Sequence, residues 1–257
     1  MDISAETTCN FAHLTDVGCV RDLNEDSLFC GDALWLIADG MGGHACGEVA
    51  SAIAAESIAE VYQQTGSLSE AIQCAHHRII EAAQDGTGQT GMGTTVVAMT
   101  SGQSDYEIAW VGDSRAYLWD GRRGRLSQLT EDHSLIVRLV NSGLISAEEA
   151  KSHPQRHMIT QCLGSVEIES VQVDSYHGQW QPHQSILLCS DGLSDDVSET
   201  EITQILKEET DHQEKLSRLV EAAKLAGGKD NISLILVDSP LAATQSLWNK
   251  LKSLIGV

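Results

Sequence analysis

Four aspartates stand at the borders of hydrophobic, strand-like runs, and each has a glycine close by: Asp39, Asp113, Asp191 and Asp230. An acid at the lip of a buried strand is held rigidly, and a neighbouring glycine leaves room for an ion. Several such acids at one end of two sheets would repel one another unless a divalent cation neutralised them. Oxygen ligands alone favour Mg²⁺ or Mn²⁺ over zinc. One Asp-Gly pair is most often an ordinary turn, but the repetition of the pattern indicates a metal site.

A second group of candidate residues lies in the segment Arg21–Asp26, between two predicted strands. A lone arginine near the start of a chain is usually a solvated surface group. Here it stands among acids, and a guanidinium binds phosphate through two parallel hydrogen bonds. Arg21 could therefore seat a phosphate beside the metals. Glu25 and Asp26 could hold metal-bound waters.

The glycine-rich segment Asp39–His44 is the third candidate. Its glycines would let the backbone approach a ligand closely. It matches neither a GxGxxG nor a Walker pattern, so a nucleotide site is poorly supported. His44 precedes a predicted helix, where a histidine is usually a cap or a surface group. Beside a metal pair, it could instead donate a proton to a departing alkoxide.

The composition narrows the function classes. The 257 residues carry a formal net charge of −21, from 37 acidic and 16 basic residues. Such an acidic surface repels nucleic acid and anionic lipid, so neither is an expected partner. No signal peptide or run of about 18 apolar residues is evident. The seven cysteines lack CxxC spacing, which predicts no disulfide framework or zinc site and favours a reducing cytoplasm. We expect a monomer.

Hydrophobic periodicity switches between strand and helix patterns along the chain. Alternating or short apolar runs predict strands at Thr7–Val20, Leu34–Ala38, Gly93–Thr100, Tyr106–Val111, Arg115–Trp119, Val166–Tyr176, Ser185–Cys189 and Ile232–Val237. Helical spacing predicts helices at Glu48–Gln64, Leu68–Ala83, Glu199–Lys207 and Glu214–Ala226, with a broken helical pattern over His133–Gln161. Strands at both ends and consecutive strands in the middle predict an α+β fold and argue against a doubly wound parallel sheet.

The segment after Pro240 has a pattern of its own. Its apolar residues recur at helical spacing: Leu241, Leu247, Trp248, Leu251, Leu254 and Ile255. The sequence therefore predicts a domain over 1–238 and an amphipathic tail over 239–257. The tail could pack on the domain, dock a partner or contact a membrane face.

Eight sequence blocks, in order, resemble the bacterial PPM (type 2C) protein serine/threonine phosphatases. They are VGCVRDLNEDS (17–27), LWLIADGMGGHACGEVAS (34–51), GMGTTVV (91–97), VGDSRAYLW (111–119), LTEDHSL (129–135), HPQRHMITQCLG (153–164), LLCSDGLSD (187–195) and GGKDNISLILV (227–237). The resemblance implies a four-layer α-β-β-α sandwich of two antiparallel sheets flanked by helix pairs, with a flap over about 132–164. It also implies a role in signal transduction.

The resemblance further implies hydrolysis of phosphoserine and phosphothreonine in proteins by a metal-bridging hydroxide. Two core ions, Mn²⁺ or Mg²⁺, would be held at matching positions. Asp39 would bridge both ions, Asp191 and Asp230 would complete the first site, and the Gly40 carbonyl would serve the second. Asp113, with Asp191, would bind a third and weaker ion.

The remaining matched positions surround those ligands. Arg21 would hold the phosphate, His44 would be the general acid, and Glu25 and Asp26 would act through water, with Asn231 beside them. The flap would contribute His133 and His157. The departures from the family pattern are Cys46, where a small residue is usual, and the flap pairs Arg156-His157 and Gln161-Cys162. A scaffold that binds phosphoproteins without turnover and a phosphatase for small phosphomonoesters stay open as alternatives.

Overall fold

The computed structural model describes residues 9–42, 46–151 and 153–241. Their strands are β1 Phe11–Asp16, β2 Asp26–Cys30, β3 Leu34–Met41, β4 Gly93–Thr94, β5 Val96–Ser101, β6 Asp105–Val111, β7 Arg115–Asp120, β8 Arg125–Gln128, β9 Asp174–Gln179, β10 Gln184–Cys189 and β11 Ile232–Asp238. One antiparallel sheet has the order β1-β11-β10-β7-β8. The other has the order β2-β3-β5-β6-β9, with β4 paired to β3.

The helices are α1 Gly47–Thr65, α2 Leu68–Asp85, α3 Leu135–Asn141, α4 Ala147–Lys151, α5 Asp191–Ser194, α6 Glu199–Leu206 and α7 His212–Leu225. Helices α1 and α2 cover the outer face of one sheet, and α5, α6 and α7 cover that of the other. Helices α3 and α4 lie in the segment between β8 and β9. Side chains alternate along β3, so Leu36 packs under α1 and α2 while Trp35 and Ile37 lie between the sheets. In the other sheet, Leu234 packs under α7 and Ile235 faces the sheet interface. The predicted α+β sandwich of two antiparallel sheets is confirmed.

Local signals explain where the long helices begin. Ser67 caps α2, because its hydroxyl accepts the amide N–H of Glu70 at 3.2 Å. Asp211 caps α7 in the same way through Glu214 at 2.8 Å. Before α1, Cys46 has φ +63°. Glycine adopts that left-handed conformation without strain, which explains why a small residue is usual at this position and why Cys46 departs from the pattern.

The expectation that Asp39-Gly40 ends a strand is wrong. β3 continues to Met41, with Asp39 opposite Asp26 of β2 and Gly40 opposite Thr94 of β4. A β-carbon at Gly40 would overlap the carbonyl oxygens of Glu25 and Gly47. The glycine is therefore there for close packing of three backbone segments rather than for a turn.

The predicted strand over Val166–Tyr176 is wrong in its first half. β9 starts only at Asp174, and 166–173 is irregular chain laid against α2. The pair His76-His77 lies on a predicted helix, and its polar side chains predict a position facing solvent. His76 is instead fully buried. Its Nε2 lies 2.9 Å from the Ile168 carbonyl, and its Nδ1 accepts the amide N–H of Gly164 at 3.1 Å. The exposed position expected for His77 is correct.

Other differences concern boundaries. The first strand is Phe11–Asp16 rather than Thr7–Val20, and β8 has no counterpart among the sequence predictions. None of the helices in the described ranges could span a membrane. Most of the predicted tail, from residue 242 onward, lies outside the described residues.

Candidate metal centre

Asp26 and Asp39 face each other across β2 and β3 at one end of the sheet interface. The backbone around Asp39 is fixed, since its carbonyl accepts the Thr94 hydroxyl at 2.8 Å and the Thr95 amide at 2.9 Å. Burial, reinforced by the charges of Asp26 and Asp191, raises the pKa of Asp39 well above its usual value. Burial also raises the pKa of Asp26 to about 6.

The opposite sheet contributes Asp191 and Asp230. Asp191 is the first residue of α5, directly after Ser190, whose backbone and hydroxyl both bond to Ser233. Burial, with the charges of Asp113 and Asp195, raises the pKa of Asp191 well above normal. Asp230 precedes β11 and accepts the Arg21 guanidinium at 2.7 Å. The first residue of β2, a residue within β3, the first residue of α5 and the loop before β11 thus bring acids from both sheets together.

Asp113 lies in the turn between β6 and β7. Burial is the main cause that raises its pKa to about 7, and the charges of Asp132 and Asp195 add to it. Gly112, beside it, has φ +109°, and a β-carbon there would lie 2.6 Å from Thr95. The turn therefore packs against Thr95. The hydroxyl of Thr95 also accepts the amide N–H of Asp39 at 3.3 Å, so Thr95 connects the turn with the strand that carries Asp39.

Asn231 organises the loop that carries Arg21 and Glu25. Its Nδ2 donates to the carbonyls of Val17 (3.1 Å) and Leu23 (3.0 Å), and its Oδ1 accepts the amide of Glu25 (2.7 Å). This buried amide ties the loop after β1 to the start of β11. It acts on the site through the backbone.

One cavity of about 390 Å³ joins most of the predicted site residues. Those that line it are Arg21, Glu25, Asp39, Gly40, Asp113, His157, Asp191 and Asp230. An adjoining cavity of about 420 Å³ shares Arg21, His157, Asp191 and Asp230 with it. His133 does not line either cavity and is buried at the base of the flap. His44 lies outside the described residues.

Two positively charged or ionisable groups face the cavity. Arg21 also approaches Glu25 (3.8 Å), and its side chain is 44 % exposed. His157 Nδ1 lies 2.6 Å from Asp195 Oδ2, so the flap contacts the chain just after α5. Asp195 was not singled out in the sequence. Its signal is the spacing of four from Asp191, which places both on one side of a helical turn.

The donor set fits divalent cations. Asp26 Oδ1 and Asp191 Oδ1 are buried without a hydrogen-bond partner, and unpaired buried carboxylates are costly. All of the donors are oxygens, as Mg²⁺ and Mn²⁺ prefer. In the described ranges, no three His, Cys, Asp or Glu side chains already converge on a single metal position. The fit therefore rests on charge, burial and donor chemistry.

Comparisons of the sequence and of the structure with known proteins indicate the same family. The family described as Protein phosphatase 2C matches residues 21–234. The serine/threonine phosphatase stp of Listeria monocytogenes is 39 % identical over 243 residues, covering 88 % of this chain and 94 % of that protein. The Mycobacterium tuberculosis serine/threonine phosphatase PstP/Ppp superposes with a TM-score of 0.82 at 36 % identity, covering 90 % of this chain and 98 % of that one.

A structure of the PstP catalytic domain in complex with two manganese ions superposes with a TM-score of 0.79 at 33 % identity. It covers 90 % of this chain and 97 % of that one. The matched span contains each acid that lines the cavity, from Glu25 to Asp230. The chain belongs to the protein phosphatase 2C family.

Proposed function

We propose that this chain hydrolyses phosphoserine and phosphothreonine in proteins with the help of divalent cations. The observation that carries the proposal is the cavity in which one arginine faces acids from both sheets. A phosphate dianion needs positive charge, and the acids supply it only indirectly, by holding cations. Family membership and the phosphatase names of the relatives support the same activity.

Asp39, Asp191 and Asp230, with the Gly40 carbonyl, would hold two ions, Mn²⁺ or Mg²⁺. Asp113 with Asp191 would hold a third. When bound, the ions supply a water of lowered pKa as the nucleophile and neutralise charge on the phosphate oxygens. The manganese ions in the PstP structure support Mn²⁺ as one suitable metal. Glu25 and Asp26 would orient water beside the ions, and Asn231 fixes the loop that carries Glu25.

Arg21 would bind the phosphate. Its guanidinium contacts Asp230 through Nη2, which leaves further N–H groups to point into the cavity. A planar donor pair of this kind matches two phosphate oxygens. Asp230 would therefore serve both the first ion and the orientation of Arg21.

His44 would protonate the departing serine or threonine oxygen. An alkoxide is a poor leaving group, whereas nitrophenolate departs without help from an acid. We expect His44→Gln to slow hydrolysis of a phosphothreonine peptide about 100-fold and of p-nitrophenyl phosphate far less. Equal losses on both substrates would argue against this role.

The flap over about 132–164 would cover the site, with His157 over the cavity and His133 at its base. We also propose a monomer in the cytoplasm, and a catalytic domain over 1–238 with a separate tail over 239–257. All seven cysteines belong to the described ranges and are free thiols, which supports a reducing compartment.

Hydrolysis of p-nitrophenyl phosphate and of a phosphothreonine peptide, with Mn²⁺, with Mg²⁺ and with EDTA, tests the proposal. We expect turnover only with metal. Asp39→Ala is the inactive control. A folded protein that binds the peptide without turnover in any metal would instead be a phosphoprotein-binding scaffold. A preference for sugar phosphates over the peptide would indicate a small phosphomonoester phosphatase.

A further inference from the structure

His133 occupies a place that the proposed mechanism does not use. It is buried at the junction of the flap with the main sheets, outside the metal cavity. We infer that His133 is a positioning residue for Asp113, which it holds through the backbone of Gly112. The inference rests on the proposed function, because it concerns the ion that Asp113 would bind there.

His133 and Gly112 bond to each other twice. The amide N–H of His133 donates to the Gly112 carbonyl at 2.9 Å. The amide N–H of Gly112 donates back to Nδ1 of the His133 ring at 3.2 Å. Both hydrogen-bonding groups of the residue before Asp113 are thereby satisfied by one partner, which determines where the turn lies.

Because Nδ1 accepts a hydrogen bond, the neutral ring carries its proton on Nε2. That atom is buried without a hydrogen-bond partner, and Asp174 Oδ2 lies 3.4 Å away. An apolar side chain would fill the same space, but it could not accept the Gly112 amide N–H. The ring nitrogen Nδ1 is therefore what this position requires.

Neighbouring contacts prevent the turn from relaxing in another direction. Arg115, two residues after Asp113, donates to both carboxylate oxygens of Asp132, at 2.9 and 2.6 Å. Asp132 directly precedes His133. The turn of Asp113 is therefore clasped on both sides by two consecutive residues at the base of the flap, and bidentate pairs of this kind are geometrically specific.

The same residue also holds the returning end of the flap. The carbonyl of His133 accepts the amide N–H of Thr160 at 2.7 Å and its hydroxyl at 3.0 Å. Thr160 is three residues after His157, which lines the metal cavity. One residue therefore connects Asp113 with the flap segment that faces the site, so flap position and Asp113 position are linked.

The test compares variants that keep or remove the acceptor. His133→Asn places an amide oxygen near the position of Nδ1, whereas His133→Leu has similar bulk and no acceptor. Mn²⁺ binding to metal-stripped protein is measured by titration calorimetry, beside Asp113→Ala. We expect His133→Leu to weaken the ion at Asp113 about 10-fold, as the loss of partners behind a ligand does. Its isotherm should approach that of Asp113→Ala, and His133→Asn should restore the wild-type isotherm.

A wild-type isotherm for His133→Leu, with only a lower melting temperature, would overturn the inference and leave a structural role. If His133→Leu does not fold, His133→Gln decides, because its acceptor lies one carbon further out and should not rescue. His177→Leu, an exposed histidine on β9, is the matched control and should bind Mn²⁺ as wild type does. Calorimetry needs no turnover, so these outcomes are distinct from a failure of the phosphatase activity.

Discussion

The floor of the cavity and its rim use acidic residues in opposite ways. The floor consists of Asp39, Asp113 and Asp191, which line the cavity, together with Asp26, which lies opposite Asp39 in β2. None of these four acids forms an ion pair within the described ranges. The rim consists of Arg21–Asp230 at 2.7 Å, His157–Asp195 at 2.6 Å and Lys229–Asp196 at 2.9 Å. Rim acids have partners within the protein, whereas floor acids have one another.

The difference indicates which part of the proposed site would depend on bound cations. Burial raises the pKa of all four floor acids, and the charges of neighbouring acids add to it. An exposed ion pair contributes about 0–1 kcal/mol, so the rim gains little from its exposed pairs. Asp230 belongs to both regions, because it pairs with Arg21 and would also hold an ion. We therefore expect floor and rim variants to separate clearly in activity, in stability and in their response to metal.

The largest separation should come from neutralising one acid in each region. Asp39→Asn should reduce hydrolysis of a phosphothreonine peptide by at least about 1,000-fold, because it removes the carboxylate proposed to bind both ions. Asp196→Asn, on the rim, should change it less than about threefold. Steady-state kinetics in Mn²⁺ measure both, and similar losses in the two variants would remove the distinction.

The floor should also make metal-free stability depend on pH. The pKa of Asp26 is raised to about 6 and that of Asp113 to about 7, from 3.8, so the folded protein binds more protons than the unfolded chain between about pH 4 and 7. The free energy of unfolding should therefore fall as pH rises through that window. One pKa unit corresponds to about 1.4 kcal/mol, so the fall should reach several kcal/mol. Urea unfolding in EDTA measures it.

Saturating Mn²⁺ should flatten that pH dependence above about pH 6, since a cation favours the ionised carboxylates. In EDTA, the free energy of unfolding of Asp39→Asn should fall less steeply with rising pH than that of the wild type. Stability in EDTA that rises with pH across the window would contradict the assignment of the floor.

Arg21 should affect catalysis much more than stability. Arg21→Ala should lower kcat/KM for the phosphopeptide about 10- to 100-fold, and Arg21→Lys should recover only part, because an ammonium cannot bind phosphate in two places. With a side chain 44 % exposed, its loss should change the free energy of unfolding by less than about 1 kcal/mol. Lys229→Ala is the matched control on the rim, and kinetics with urea unfolding measure the pair.

The smallest effect belongs to the contact between flap and rim. His157→Ala removes the pair with Asp195, in which the two side chains are 49 % and 34 % exposed. We expect a change below about 1 kcal/mol in unfolding free energy and only a few-fold rise in KM for the peptide. A loss as large as that of Arg21→Ala would move His157 from the rim to the group that contacts the phosphate.

Asp39 and Asp191 could be found in the sequence because both follow a buried hydrophobic run and precede glycine. What that dipeptide does locally could not be found. In one case it continues a strand to Met41, and in the other it starts α5. The choice depends on contacts that form only in the folded chain, such as those of the Glu25 and Gly47 carbonyls with Gly40.

The buried position of His76 and the irregular chain over 166–173 were missed for a related reason. Alternation over Val166–Tyr176 indicates a strand, but a strand needs a neighbour to pair with, and 166–173 instead bonds to side chains of α2. Local patterns describe faces of elements well. They do not show which backbone groups a distant side chain will satisfy.

The pairing of β1 with β11 has a consequence for synthesis of the protein. Arg21 follows β1 and its partner Asp230 precedes β11, 209 positions later in the sequence. At roughly 5–20 residues per second, a ribosome needs about 10 to 40 s to add the later partner once the earlier one has been made. During that time β1 lacks its neighbour in the sheet, and β10, once it is made, has only β7 beside it and exposes apolar surface. The nascent chain therefore depends on protection from aggregation until the strand that completes the acidic pocket emerges.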